Sequence, residues 1–330
     1  MYDIDLNRYT EVVDSAIALR PQIEKAVDEI CAQGYSNLFF IGCGGTYAHS
    51  LPMMYWLEST TNKGEAHAVI AAEFMVMGHK AFSTRSGNTK EIVAAAKFCK
   101  EAGARTMVYV SNDNTPVCEY ADYKFYSPAE DPDLCEAIYS YTICLLGRFM
   151  KNAGAFDKYD EFMAQYAGLT KYLIAGKEKF DPFCQELAKK FKDVDYHMVI
   201  GGGMLWGEAY DYAMCILEEM QWIRTKSIHV CEYFHGTLEL VEKDTSLILF
   251  YGEDETRPLM DRVLKFSKTV SNEITIFDTK EVELPFTDPE FRKIVSPIVI
   301  YAITERLSAH LAKERNHPLT TRRYYRQMEY

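Results

Sequence analysis

Apolar residues recur at helical spacing through residues 9–33 (Val12, Val13, Ala16, Ile17, Ile23, Val27 and Ile30), with no glycine before Gly34. They predict one or two helices, bent near Pro21. Beyond them short apolar runs take turns with helical segments. Residues 38–42, 68–72, 79–83, 106–111 and 123–126 read as strands, and 91–102 and 134–150 as helices. The plan then repeats. The run 197–200 meets three glycines and a helix over about 205–224, and 246–252 and 273–278 read as further buried strands. Alternation of this kind implies an α/β class with parallel sheets covered on both faces. Gly42 and Gly201 each close an apolar strand, 159 residues apart, which fits two similar domains. The expected division is 1–155 for an N-terminal helix and first domain, 156–192 for a helical connector, and 193–330 for a second domain.

Composition sharpens the class. With 330 residues, 48% hydrophobic and 25% charged, the chain suits two globular domains of roughly 150 residues each rather than disorder. Lys and Arg total 36 against 48 Asp and Glu, a net charge of −12, which repels phosphate backbones and anionic lipid. Nucleic acid and membrane are therefore not expected as partners. The nine cysteines are scattered, with no C-x-x-C spacing, and predict reduced thiols in a cytoplasm rather than disulfides or a zinc site. The acidic opening shows no secretory signal, and no apolar run approaches the length of a membrane span.

The glycine loops raise nucleotide binding first, and the residues reject it. A G-x-G-x-x-G motif from Gly42 requires glycine where Tyr47 stands, and from Gly201 where Trp206 stands; neither loop leads into Gly-Lys-Ser/Thr. More specific is the run Ser83-Thr84-Arg85-Ser86-Gly87-Asn88-Thr89-Lys90-Glu91, hydroxyls clustered where a strand gives way to a helix. Asn88 with Glu91 three residues on fits a helix start, whose exposed N–H groups favour an anion. Thr84, Ser86 and Thr89 with Arg85 nearby suit a phosphate monoester, although polar residues that merely cap a helix would look alike. Gly44, Gly45 and Thr46 at a neighbouring strand end add to the phosphate reading.

With Gly42-Cys43-Gly44-Gly45-Thr46-Tyr47, the hydroxyl run, Leu217-Glu218-Glu219-Met220-Gln221-Trp222 and Glu232-Tyr233-Phe234-His235-Gly236 in this order, the chain resembles the sugar isomerase (SIS) family. The likeness runs from about Gly34 to the C-terminus and is strongest to the isomerase half of glucosamine-6-phosphate synthase and to the fructosamine-6-phosphate deglycases. It implies two three-layer SIS domains with mainly five-stranded parallel sheets, and at least a homodimer. It also implies a sugar-phosphate site at Gly45, Thr46, Thr84, Arg85, Ser86 and Thr89. On a helical wheel Glu219 lies at the edge of the stripe Ala213, Ile216, Leu217, Met220 and Ile223, while Glu218 points to solvent. A carboxylate so placed is partly desolvated, which favours alternation between base and acid. The resemblance makes Glu219 and His235, sixteen residues apart, the catalytic acid–base and the ring-opening histidine. It also implies that the histidine reaches into the neighbouring subunit's pocket.

One departure is informative. Where synthase-type isomerases carry a Schiff-base lysine near the chain end, the matching position is Arg323, which stays protonated and cannot serve. A substrate with an amine already on C1 needs no such lysine, and with Tyr2 where the synthases' glutaminase domain opens on a cysteine, that domain is not expected. The expectation is a deglycase acting on a 6-phosphorylated Amadori compound, with no cofactor and no metal. Arg322, Arg323 and Arg326 become candidates for an amino acid carboxylate, and Arg323 for positioning the sugar. An aldose–ketose isomerase, an aminosugar-phosphate deaminase and a phosphosugar-binding regulator are the alternatives. Cys43 reads as a packed residue rather than a nucleophile, and His229 and Glu232 as possible pocket neighbours.

Overall fold

The computed structural model describes residues 1–62, 65–77, 88–128, 135–325 and 327–329. The chain forms two compact units, one of residues 5–170 and one that unites residues 1–4 with 171–330.

The unit 5–170 opens with helices Leu6–Ala18 and Arg20–Gln33. The Asp5 carboxylate caps the first, accepting from the N–H groups of Asn7 (2.9 Å) and Arg8 (3.1 Å). Pro21 falls in the first turn of the second, where its missing N–H is not needed, so the chain breaks at Leu19 instead of bending within one helix. Strand β1 (Leu38–Gly42) pairs in parallel with β2 (Ala66–Ile70), and β3 (Met107–Val110) with β4 (Tyr123–Tyr126). Ile41, Val108 and Val110 pack with Phe74 of helix Ala71–Met77 and with Ile92, Ala95 and Ala96 of helix Lys90–Glu101 in one core. The strand expected at 79–83 lies outside the described residues.

The second unit holds a parallel sheet of four strands in the order β6-β5-β7-β8: β5 (Tyr196–Gly201), β6 (Arg224–His229), β7 (Ser246–Tyr251) and β8 (Ile274–Asp278). Helices Thr170–Phe191, Arg257–Val270 and Pro289–Glu314 accompany it. The described residues thus form sheets of two, two and four strands where five per sheet were expected. Strand β6 carries no apolar run to announce it. As an edge strand it buries only Ile228 fully, and its sequence RTKSIH is mostly polar.

Residues 1–4 are tied to this second unit by a charged cluster. Buried Arg306 donates from Nη2 to the Tyr2 carbonyl (2.5 Å), and its Nε lies 3.3 Å from Asp181. The Tyr2 ring stacks on His310 at 5.6 Å, and His310 Nε2 meets Asp181 at 3.1 Å. Buried Lys177 pairs with Glu305 at 3.0 Å close by. Among the described residues no helix is long and apolar enough to cross a membrane.

Candidate active site

Helix Trp206–Asp211 runs directly into a π-helical stretch, Tyr212–Met220. That geometry is rare and concentrates at functional sites. Its wider turn departs from the α-helical wheel, yet the burial keeps the expected sides. Ala213, Ile216, Leu217 and Met220 are buried, Glu218 is exposed, and the Glu219 side chain retains 34% of its accessible area. Two residues past its end stands Trp222, an exposed ring on a left-handed backbone (φ 56°). The Trp222 N–H donates to the Glu218 carbonyl (3.0 Å) and that of Ile223 to Leu217 (2.9 Å), which turns the chain sharply into β6.

Glu219 faces an open cleft of about 1000 Å³, walled by the first residues of β5 and β6, by Trp222 and by residues 322–325 of the tail. Arg322 Nε donates to Glu219 Oε1 at 3.0 Å. The Arg322 side chain is only 14% accessible. Its Nη1 is held by the carbonyls of Leu319 (2.6 Å) and Thr321 (3.0 Å). The Arg323 guanidinium lies 4.1 Å over the Trp222 ring, a cation–π contact. Trp222 stands edge-on to His317 at 4.4 Å, and the His317 carbonyl accepts from Gln221 Nε2 (2.8 Å). The half-buried carboxylate expected at the edge of the apolar stripe thus also has a guanidinium beside it, a partner that the stripe does not reveal. Arg326 lies outside the described residues.

His235 stands elsewhere in the same chain. It is exposed on the turn between the short helices Val230–Glu232 and Thr237–Leu240, its N–H donating to the Glu232 carbonyl at 3.0 Å. It is not among the residues lining the Glu219 cleft. One chain therefore brings together Glu219 and Arg323, and leaves His235 outside. His229 is fixed locally: its Nδ1 accepts from the Cys231 N–H (3.2 Å), and burial lowers its proton affinity.

The anion candidates belong to the unit 5–170. At Gly42 a Cβ would lie 2.4 Å from the Tyr47 nitrogen and 2.5 Å from the Thr46 carbonyl carbon, so only glycine allows the chain to turn there. Gly44 takes a positive φ of 55°. The Thr46 hydroxyl closes the loop, accepting from the Cys43 N–H (3.0 Å) and donating to the Cys43 carbonyl (2.9 Å). Gly45 and Thr46 are half-buried and begin the short helix Gly45–Ala48. Thr89, not Asn88, occupies the N-cap of helix Lys90–Glu101 and is half-buried. Thr84, Arg85 and Ser86 lie outside the described residues. Burial, with the nearby Glu91 charge, pushes the Cys43 thiol up against a weaker opposing hydrogen bond from Ala71, which makes it a poor nucleophile.

The second glycine loop differs in charge. Gly203 (φ 53°) lies against the Asp254 carboxylate, whose oxygens accept from the N–H groups of Met204 (2.8 Å) and Thr256 (2.8 Å) and from the Thr256 hydroxyl (2.6 Å). A carboxylate thus occupies the donors that an anion would use. In the first loop the closing group is a neutral hydroxyl. No group of three or more His, Cys, Asp or Glu able to hold a metal ion occurs among the described residues.

A profile of the SIS domain matches residues 34–146. The chain is 29% identical over 322 residues to fructosamine deglycase FrlB of Bacillus subtilis, covering 94% of this chain and 97% of that one. It is 20% identical over 315 residues to fructoselysine 6-phosphate deglycase of Escherichia coli, covering 92% and 90%. A crystal structure of a Bacillus subtilis protein assigned to the phosphosugar isomerases is similar with a TM-score of 0.89 at 26% identity, covering 96% of this chain and 99% of that one.

Proposed function

From an SIS-domain chain related along nearly its whole length to fructosamine deglycases, we propose an enzyme of that kind, which converts a 6-phosphorylated Amadori compound and water to a hexose 6-phosphate and a free amino acid. The observation that carries the reading is the near full-length relation to FrlB, because it spans the half with the glycine loop and the half with Glu219 alike.

The chemistry follows from the substrate. The open ketosamine has its carbonyl at C2 and its amine on C1. The Glu219 carboxylate takes a proton from C1, leaving an enolamine, and returns it to C2. As C2 takes that proton, the nitrogen's own proton passes to O2, so the product is an imine between C1 and nitrogen with a hydroxyl on C2; water then adds at C1, and its two protons pass to nitrogen as the C–N bond breaks, leaving an aldehyde at C1 and the free amine. No lysine nucleophile takes part, which accords with the arginine at 323. His235 assists ring opening. Since it stands outside the Glu219 cleft of its own chain, we assign it to the cleft of a second copy in a homodimer. Gly45, Thr46, Thr84, Arg85, Ser86 and Thr89 hold the phosphate, and Arg323 borders the sugar. No cofactor enters the scheme, and the nine free thiols suit a reducing cytoplasm.

The test is hexose 6-phosphate release from a panel of phosphorylated fructosamines. Absence of release from every member rejects the reading. Turnover of fructose 6-phosphate or glucosamine 6-phosphate in its place points to an isomerase or deaminase.

A further inference from the structure

The ion pair between Arg322 and Glu219 joins residues 103 positions apart. Its environment gives it a role. Among the described residues the groups around Glu219 are mixed in sign: Asp195 before β5 and Glu218 on its own helix are negative, Arg224 at the start of β6 and Arg323 in the tail are positive. The phenols of Tyr196, Tyr324 and Tyr325 complete the wall. Of the cations, Arg224 is exposed and faces the exposed Asp195 at 3.8 Å, and Arg323 lies on the Trp222 ring. Glu218 is turned aside to the Thr225 hydroxyl at 2.6 Å. Arg322 differs from these in being largely buried and anchored by two tail carbonyls, so that its Nε is presented to Glu219 in one orientation.

The geometry points to Arg322 as the positioning residue of the proton transfer, the fixed counter-charge that keeps Glu219 ionised and aimed until substrate binds. This rests on the deglycase reading above. A base that must first remove a proton from C1 has to begin charged, and a guanidinium at hydrogen-bond distance favours the charged form. Once Glu219 carries the proton, the attraction weakens and the anchored side chain stays in place. Return of the proton to C2 restores the pair. Arg322 touches neither the proton nor the sugar in this account.

The experiment compares wild type, Arg322→Gln and Arg322→Lys in the full-length protein. Rates with a phosphorylated fructosamine are measured across pH, and 13C-labelled glutamate is titrated by NMR, the Glu219 carboxyl being assigned by its loss in Glu219→Gln. For Arg322→Gln the acid limb of kcat is expected to move up by about one pH unit, which well below the midpoint is about a tenfold loss of kcat. KM should change little, and Arg322→Lys should recover part of the shift. The carboxyl titration should move in the same direction without substrate. An unchanged pH profile in an active enzyme overturns the proposal. If wild type turns over no phosphorylated fructosamine, the functional reading fails by itself; the NMR titration then decides on Arg322, and an unmoved Glu219 midpoint overturns its role. Unchanged thermal melting of the variants excludes general unfolding as the cause of any shift.

Discussion

Glu218 and Glu219 are chemically identical neighbours with different surroundings, one exposed and bonded to Thr225, the other half-buried and paired with Arg322. Substitution Glu219→Gln keeps the shape and removes the proton acceptor, and is expected to lower kcat by about 10²- to 10⁴-fold, read as hexose 6-phosphate release. Glu218→Gln should cost far less. The half-burial of Glu219 was legible in the helical stripe; its partner was not, because pairing across 103 residues leaves no periodic trace. A second residue-scale prediction concerns stability. His197 is buried, its Nδ1 2.8 Å from the Ser246 hydroxyl; burial foremost, and the positive Arg315, lower it to about 4, with Asp195 opposing. Its value in the unfolded chain is near 6.5, so on acidification the unfolded chain takes the proton first. The associated stability is complete above about 6.5 and is lost as pH falls toward 4, an amount on the order of 3 kcal/mol. Urea unfolding of His197→Gln should therefore show a flatter acid dependence than wild type between those limits.

At the scale of elements, the readable parts are those whose burial is periodic or complete. Helix Arg20–Gln33 buries Ile23, Val27 and Ile30, and β7 is buried at every residue, so both appear in the pattern of apolar positions. Strand β6 escapes the same reading because an edge position tolerates polar residues, and the π-helical stretch escapes it because a wider turn can bury nearly the same stripe as an ordinary helix. The capping position moved by one residue, from Asn88 to Thr89, since either side chain can begin a helix. The loop after β1 yields a direct test. A methyl group at Gly42 would meet backbone atoms at 2.4 and 2.5 Å, which flexible side chains cannot relieve. Gly42→Ala should destabilise by roughly 2–4 kcal/mol in urea unfolding. A wild-type midpoint would show that the loop can shift to make room.

For the molecule as a whole, a plan of two similar domains was suggested by the repeated strand–glycine–helix order, while the compact units are residues 5–170 and residues 1–4 with 171–330. The strand count and the route of the tail were not suggested, since neither depends on local periodicity. Assembly can be tested by complementation. If each site takes Glu219 from one subunit and His235 from the other, co-expressing Glu219→Gln with His235→Ala regenerates one intact site in every mixed dimer, about a quarter of wild-type activity for random pairing. Sites built within one subunit would regain none. The attachment of Tyr2 to helix Pro289–Glu314 has a further consequence for biogenesis. A ribosome adding ~5–20 residues per second releases the first four residues long before the helix that receives them, so the opening of the polypeptide must wait for its docking site. Cutting the gene at the boundary between units would not yield two autonomous proteins: a fragment of residues 171–330 would leave the buried Arg306 guanidinium short of one acceptor, and supplying the missing amino-terminal peptide in trans should raise its melting temperature.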